Sequence, residues 1–116
     1  DWSHVITIQY LQNLYPVSVE PELPPAFALE QNYPNPFNPT TTLQYDLPEA
    51  ENVSLVIYNI QGQEIVVLDA GFKMAGRYSL DWDARDRRGQ SMNTGVYFCR
   101  LNAGEYSQTI KMLYLK

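Results

Sequence analysis

The segment from Gln31 to Thr40 constrains this chain more than any other stretch. It reads Gln-Asn-Tyr-Pro-Asn-Pro-Phe-Asn-Pro-Thr, and the β-rich run Thr41-Thr42-Leu43-Gln44-Tyr45 follows at once. Each proline fixes its own φ and removes an amide donor, and each residue before a proline is driven out of the α region. These rules predict a stiff, extended lead-in, with Tyr33 and Phe37 placed to pack on whatever comes next. Ahead of it the chain is proline-punctuated spacer. Behind it, short strands and turns run to the last residue.

Strands are expected near 41–47, 53–59, 63–69, 77–83, 95–102 and 105–115. They are joined by Pro48–Asn52, a tight turn at Gly62, a longer turn with Gly71 and Gly76, a polar loop over 84–94 and a hairpin turn at Ala103-Gly104. In 77–83, Tyr78, Leu80 and Trp82 alternate with Arg77, Ser79, Asp81 and Asp83, the pattern of a strand with one buried face. No helix-length segment shows a 3.6-residue period. Short strands with Gly and Pro turns predict an all-β sandwich or barrel.

Residues 4–12 read as a further strand. Ile6, Ile8 and Tyr10 fall on one face and Val5, Thr7 and Leu11 on the other. Both faces are apolar, so the strand wants cover on two sides. Residues 13–30 hold Pro16, Pro21, Pro24 and Pro25, a semi-rigid spacer of about 3.1 Å per residue. The expected division is an N-terminal strand over 1–12, a Pro-rich linker and lead-in over 13–40, and a sandwich over 41–116.

Composition narrows the function. A net charge of −5 argues against nucleic acid and anionic membranes, and the basic cluster Arg85, Arg87 and Arg88 is interleaved with Asp83 and Asp86. No run approaches the roughly 18 apolar residues of a membrane span, and no signal peptide is evident. The chain begins at Asp1, which reads as a processed form or a piece of something longer. Cys99 lies in an apolar β run and is expected to behave as a small hydrophobe. With one histidine, His4, and one cysteine, no side-chain triad or zinc site can be assembled within the chain. No catalysis and no cofactor are expected.

Several motifs then fall in a telling order. After Asn32–Thr40 come Val53-Ser54-Leu55-Val56-Ile57-Tyr58-Asn59-Ile60-Gln61-Gly62-Gln63-Glu64, Trp82-Asp83-Ala84-Arg85-Asp86, Gly95-Val96-Tyr97-Phe98 and the terminal Lys111-Met112-Leu113-Tyr114-Leu115-Lys116. Over about residues 27–116 the chain resembles the C-terminal sorting domain of type IX secretion substrates. The likeness extends to the immunoglobulin-like domain of flagellar hook-capping proteins. It implies an immunoglobulin-like β-sandwich of about seven strands, ending a protein exported by a Bacteroidetes-type, Gram-negative bacterium and secreted or held at the cell surface. It also implies a domain read by the secretion machinery, then removed or used as an anchor. By analogy the signal lies in Lys111, Met112, Leu113, Tyr114, Leu115 and Lys116.

Against the family pattern, Val56, Val66, Val67 and Ile110 read as apolar side chains on the outer strand faces. Contiguous exposed apolar surface marks an interaction site. With the two-faced segment carrying Val5, Ile6, Ile8, Tyr10 and Leu11, it suggests self-assembly. Residues 4–12 of one subunit would complete the sheet of an identical one by β-augmentation, and an open head-to-tail contact gives a filament. The alternative is that the strand folds back on its own sandwich. Asp81, Asp83, Asp86, Gly89 and Asn93 match a calcium loop poorly, and an Asx-stabilised turn is the preferred reading. Tyr33, Phe37, Tyr97, Phe98, Tyr106 and Tyr114 could instead form a carbohydrate platform, as in an adhesion module of a secreted enzyme, though such rings more often serve core or interface.

Overall fold

The computed structural model describes residues 22–116. The strand expected over 4–12, with its assembly residues Val5, Ile6, Ile8, Tyr10 and Leu11, lies outside the described residues. Seven strands form: β1 (Ala28–Leu29), β2 (Thr41–Leu47), β3 (Glu51–Asn59), β4 (Glu64–Lys73), β5 (Gly76–Trp82), β6 (Gly95–Ala103) and β7 (Tyr106–Tyr114). They pair antiparallel in two sheets, ordered β1-β2-β5 and β4-β3-β6-β7. The result is an immunoglobulin-like sandwich with no helix among the described residues.

The core follows from strand parity. Leu43, Tyr45 and Leu47 of β2, Leu55 and Ile57 of β3, Cys99 and Leu101 of β6 and Met112 of β7 alternate inward and are fully buried. Trp82 ends β5 among Phe37, Tyr97 and Ala84, and its indole Nε1 donates to the Arg85 carbonyl at 2.9 Å. Tyr97 sits early in β6, and its hydroxyl donates to the Asn93 carbonyl at 2.6 Å. That is the tyrosine corner of immunoglobulin-like sandwiches, tying a strand to the loop before it. The buried Tyr45 hydroxyl crosses from one sheet to the other and donates to Asp69 Oδ2 at 2.7 Å. Asp69 Oδ1 also takes Lys73 at 3.0 Å, so the polar groups that enter this region are paired.

Three sequence expectations are corrected. Residues 28–40 are part of the folded unit: Leu29, Asn32 and Phe37 are buried, and β1 pairs with β2 inside the stretch read as linker. Tyr33 does not pack on the sandwich and is 80% exposed, whereas Phe37 is 2% exposed. Of the four apolar side chains assigned to the outer faces, only Val67 is exposed. Ile110 shares its parity with Met112 and Tyr114 and sits in the core. Val66 packs against the core beside the β-bulge at Ile57/Tyr58. Val56 does alternate away from Leu55 and Ile57, but its cross-strand neighbours Val67 and Arg100 flank it and it is buried.

Candidate functional site

The sorting-signal candidates occupy β7 and the two residues beyond it. β7 ends its sheet, and an end strand leaves the N–H and C=O of every second residue without a partner. Here the proline-rich lead-in supplies partners over the C-terminal half of β7. Phe37 N donates to the Leu113 carbonyl at 3.0 Å, and Leu115 N donates to the Phe37 carbonyl at 3.1 Å. Leu113 N donates to Asn35 Oδ1 at 2.9 Å, and Gln31 Nε2 donates to the Lys111 carbonyl at 2.8 Å. Lys116 N donates to Thr94 Oγ1 at 2.9 Å, which pins the last residue.

Several members of the Asn-Tyr-Pro-Asn-Pro-Phe motif hold this cap, Tyr33 by its backbone alone through two hydrogen bonds with Thr42. The Asn32 amide donates to Thr41 Oγ1 at 2.9 Å and to the Pro34 carbonyl at 3.2 Å, closing the segment onto the start of β2. Phe37 stacks on Tyr114 at 5.2 Å and tilts against Trp82 at 5.7 Å. The Xaa-Pro bonds at Pro34, Pro36 and Pro39 are cis. Asn35 and Gln31 were not singled out in the sequence. Asn35 carries a signal, because it stands between two prolines and a short side-chain amide can replace missing backbone partners, whereas Gln31, between Glu30 and Asn32, carries none.

Strand parity divides the candidates within β7, and the two beyond it are exposed. Met112 and Tyr114 point into the core, while Lys111, Leu113, Leu115 and Lys116 face outward. Lys111 stands opposite Phe98, which stands opposite Tyr58, and Leu113 stands opposite Val96. These neighbours are half-buried, so β7 presents a cation and an aliphatic side chain on a partly apolar sheet face. A recess of about 310 Å³, lined by Tyr58, Ile60, Phe98, Arg100 and Thr109 among others, opens on the same face.

The other candidates do not gather. Asp86 Oδ1 accepts from Arg88 N and Gln90 N, both at 2.9 Å, which is an Asx-type turn. Arg85 meets Asp83 at 3.5 Å and the Gly89 carbonyl at 2.8 Å. Among the described residues no three Asp, Glu, His or Cys side chains come together as metal ligands. The aromatics are dispersed: Phe37, Tyr97 and Tyr114 are buried, Tyr106 stacks on Phe27, and Tyr33 stands alone. Burial pushes the Cys99 thiol up to about 12, so it is no nucleophile at neutral pH.

Fold and site define a small immunoglobulin-like module whose last strand is capped by its own lead-in. The family model of the FlgD Ig-like domain matches residues 37–107, more than half of the chain, and the chain belongs to that family. Latent PorU of Porphyromonas gingivalis is similar in structure, with a TM-score of 0.59 and 19% identity over 84% of this chain and 10% of PorU. PorZ of the same organism, described as an essential bacterial surface component of the type-IX secretion system, gives 0.50 and 20% over 78% of this chain and 12% of PorZ. FlgD of P. aeruginosa gives 0.50 and 20% over 81% of this chain and 74% of FlgD. The chain thus spans about a tenth of the length of the two Porphyromonas proteins. No curated protein sequence matches it.

Proposed function

We propose that this chain is a non-catalytic recognition module of a secreted or surface protein, read by type IX secretion machinery through the outward face of β7. The observation that carries the reading is the capped edge. With Gln31, Asn35 and Phe37 bonded to the outward backbone groups of Lys111, Leu113 and Leu115, a partner meets side chains rather than a bare ladder at the C-terminal half of β7. Lys111, Leu113, Leu115 and Lys116 are those side chains. The likeness to proteins of that secretion system supports the assignment.

The test is export of a reporter fused ahead of this chain in a bacterium with type IX secretion. A Lys111→Glu/Leu113→Asp variant should leave the reporter inside the cell, while Thr42→Ser/Ser79→Thr on the other sheet should not. Normal export of the first variant refutes the reading, provided its melting temperature matches the parent.

A second reading is self-assembly, in which residues 4–12 of one subunit complete the next subunit's sheet. What favours it is the side of the sandwich between β4 and β5, where β5 has no further neighbour among the described residues. Electron microscopy of the intact chain and of a form lacking residues 1–12 tests it: fibres from the shortened form rule out strand donation.

A further inference from the structure

The sandwich is sealed over part of one side and, among the described residues, open along the other. On the sealed side, Leu29 N donates to Gln108 Oε1 and the lead-in caps β7. On the other side a strand has changed sheets. In constant-type immunoglobulin sandwiches the fourth strand lies beside the fifth. Here β4 pairs with β3, and β5 ends its sheet with no neighbour among the described residues.

Register shows which groups are bare. Thr42 and Gln44 bond toward Tyr33 and Glu30, so Thr41, Leu43, Tyr45 and Leu47 turn their backbone groups to β5. By the alternation of an antiparallel ladder, Arg77, Ser79 and Asp81 turn theirs away from β2. Those groups have no partner among the described residues. Side chains agree: Trp82 is buried, but Tyr78 and Leu80, on the same face, are only half-buried. Beside them a cleft of about 460 Å³ is floored by Val66, Leu68 and Trp82. β4 is the poorer acceptor, since Ile65 O already takes Arg87 N, Ala70 N takes Asp69 Oδ1, and two bulges break its register.

We propose that β5 accepts an added antiparallel strand, and that the strand is residues 4–12 of the same chain. The proposal rests on reading 4–12 as a strand and is independent of recognition through β7. Nine residues at about 3.3 Å each cover the seven of β5 with two to spare, both at the Gly76 end in the register that follows. Setting Thr7 opposite Ser79 brings Ile6 over Leu80, Ile8 over Tyr78, Tyr10 over Gly76 and Gln9 beside Arg77. Apolar side chains then cover the half-buried pair and Thr7 and Gln9 meet polar partners, while Val5 falls opposite the exposed Asp81. This direction also leaves residue 12 at the Gly76 end, where β1 begins opposite Asp46. The gap is three strand spacings, about 15 Å, and the segment 13–27 reaches about 46 Å at polyproline extension. A tether this short holds the strand at an effective concentration on the order of millimolar, ahead of a neighbour at micromolar protein.

The test uses the full chain with two cysteine pairs, Thr7→Cys/Ser79→Cys and Gln9→Cys/Ser79→Cys, under mild oxidation. Directly opposed strand residues are about 5.5 Å apart at Cα, inside disulfide range, and Cys99 is too buried to interfere. A monomeric disulfide from at least one pair is expected. In the parent, amide exchange at Arg77, Ser79 and Asp81 should be roughly tenfold slower than in an Ile6→Asp/Ile8→Asp variant. A disulfide-linked dimer overturns the own-subunit occupant in favour of a neighbour. No disulfide from either pair, with equal exchange, overturns β5 as the acceptor.

Discussion

Phe37→Ala should cost this protein a large share of its stability, although the residue lies in a stretch that reads as spacer. The ring is 2% exposed, stacks on Tyr114, and touches the Trp82 end of the core. Truncating a buried phenylalanine costs about 3–5 kcal/mol. Domains of this kind are stable by about 5–15 kcal/mol in all. At about 4–8 °C per kcal/mol for a domain near this size, the melting temperature should fall by about 12–40 °C. Tyr33→Ala, four residues earlier in the same motif, should change stability by less than about 0.5 kcal/mol, because its ring is 80% exposed. Urea unfolding followed by tryptophan emission measures both. The order is as informative as the size. If the two variants lose similar stability, or Phe37→Ala loses less than about 1 kcal/mol, the lead-in is not part of the cooperative unit and the capped β7 edge is not structural.

Two further substitutions probe the polar ties. Tyr97→Phe removes only the hydroxyl that reaches the Asn93 carbonyl, and should cost about 0.5–1.5 kcal/mol with the aromatic packing retained; a null effect in chemical denaturation would demote the tyrosine corner. Burial pushes the Asp69 carboxyl up, but hydrogen bonds from Tyr45 and Lys73 and the Lys73 charge outweigh it and hold the group below its usual value. A depressed folded-state pKa gives stability that is present above the unfolded value, about 3.9, and lost as pH falls through the folded one. The gap between the parent and Asp69→Ala should therefore be widest at neutral pH and shrink in strong acid, and a gap that stays constant to pH 2 contradicts the assignment.

The strands legible in the sequence were those whose alternation is decided by burial. β2 is found at the expected residues, and β5 and β6 fall within one residue at each end. β4 runs four residues past its expected end because Gly71, Phe72 and Lys73 pair with Val53, Asn52 and Glu51. Those two polar partners look like turn, and only the pairing makes them strand. β1 left no signal at all: two residues between proline clusters become a strand because β2 offers them an edge. The same physics explains the misplaced valines. Periodicity sorts residues between two faces, but it cannot show that Val67 and Arg100 flank Val56 on the outer one, and bulges shift the phase within β4 itself.

Chemistry was legible in a different sense. The motif announced its importance through its prolines, yet its work is done by Gln31, Asn32, Asn35 and Phe37, each bonding to or packing on an element distant in sequence. A lead-in that caps the C-terminal half of β7 leaves β5 as an edge whose outward backbone groups lack partners among the described residues. That asymmetry assigns different tasks to the two sides. β7, capped at the Lys111 carbonyl, at Leu113 and at the Leu115 amide, meets a partner there through its side chains. β5, without partners along Arg77, Ser79 and Asp81 among the described residues, can be completed by main chain. A surface mutation on β7 should therefore alter recognition without changing amide protection at β5, and loss of the N-terminal segment should do the reverse.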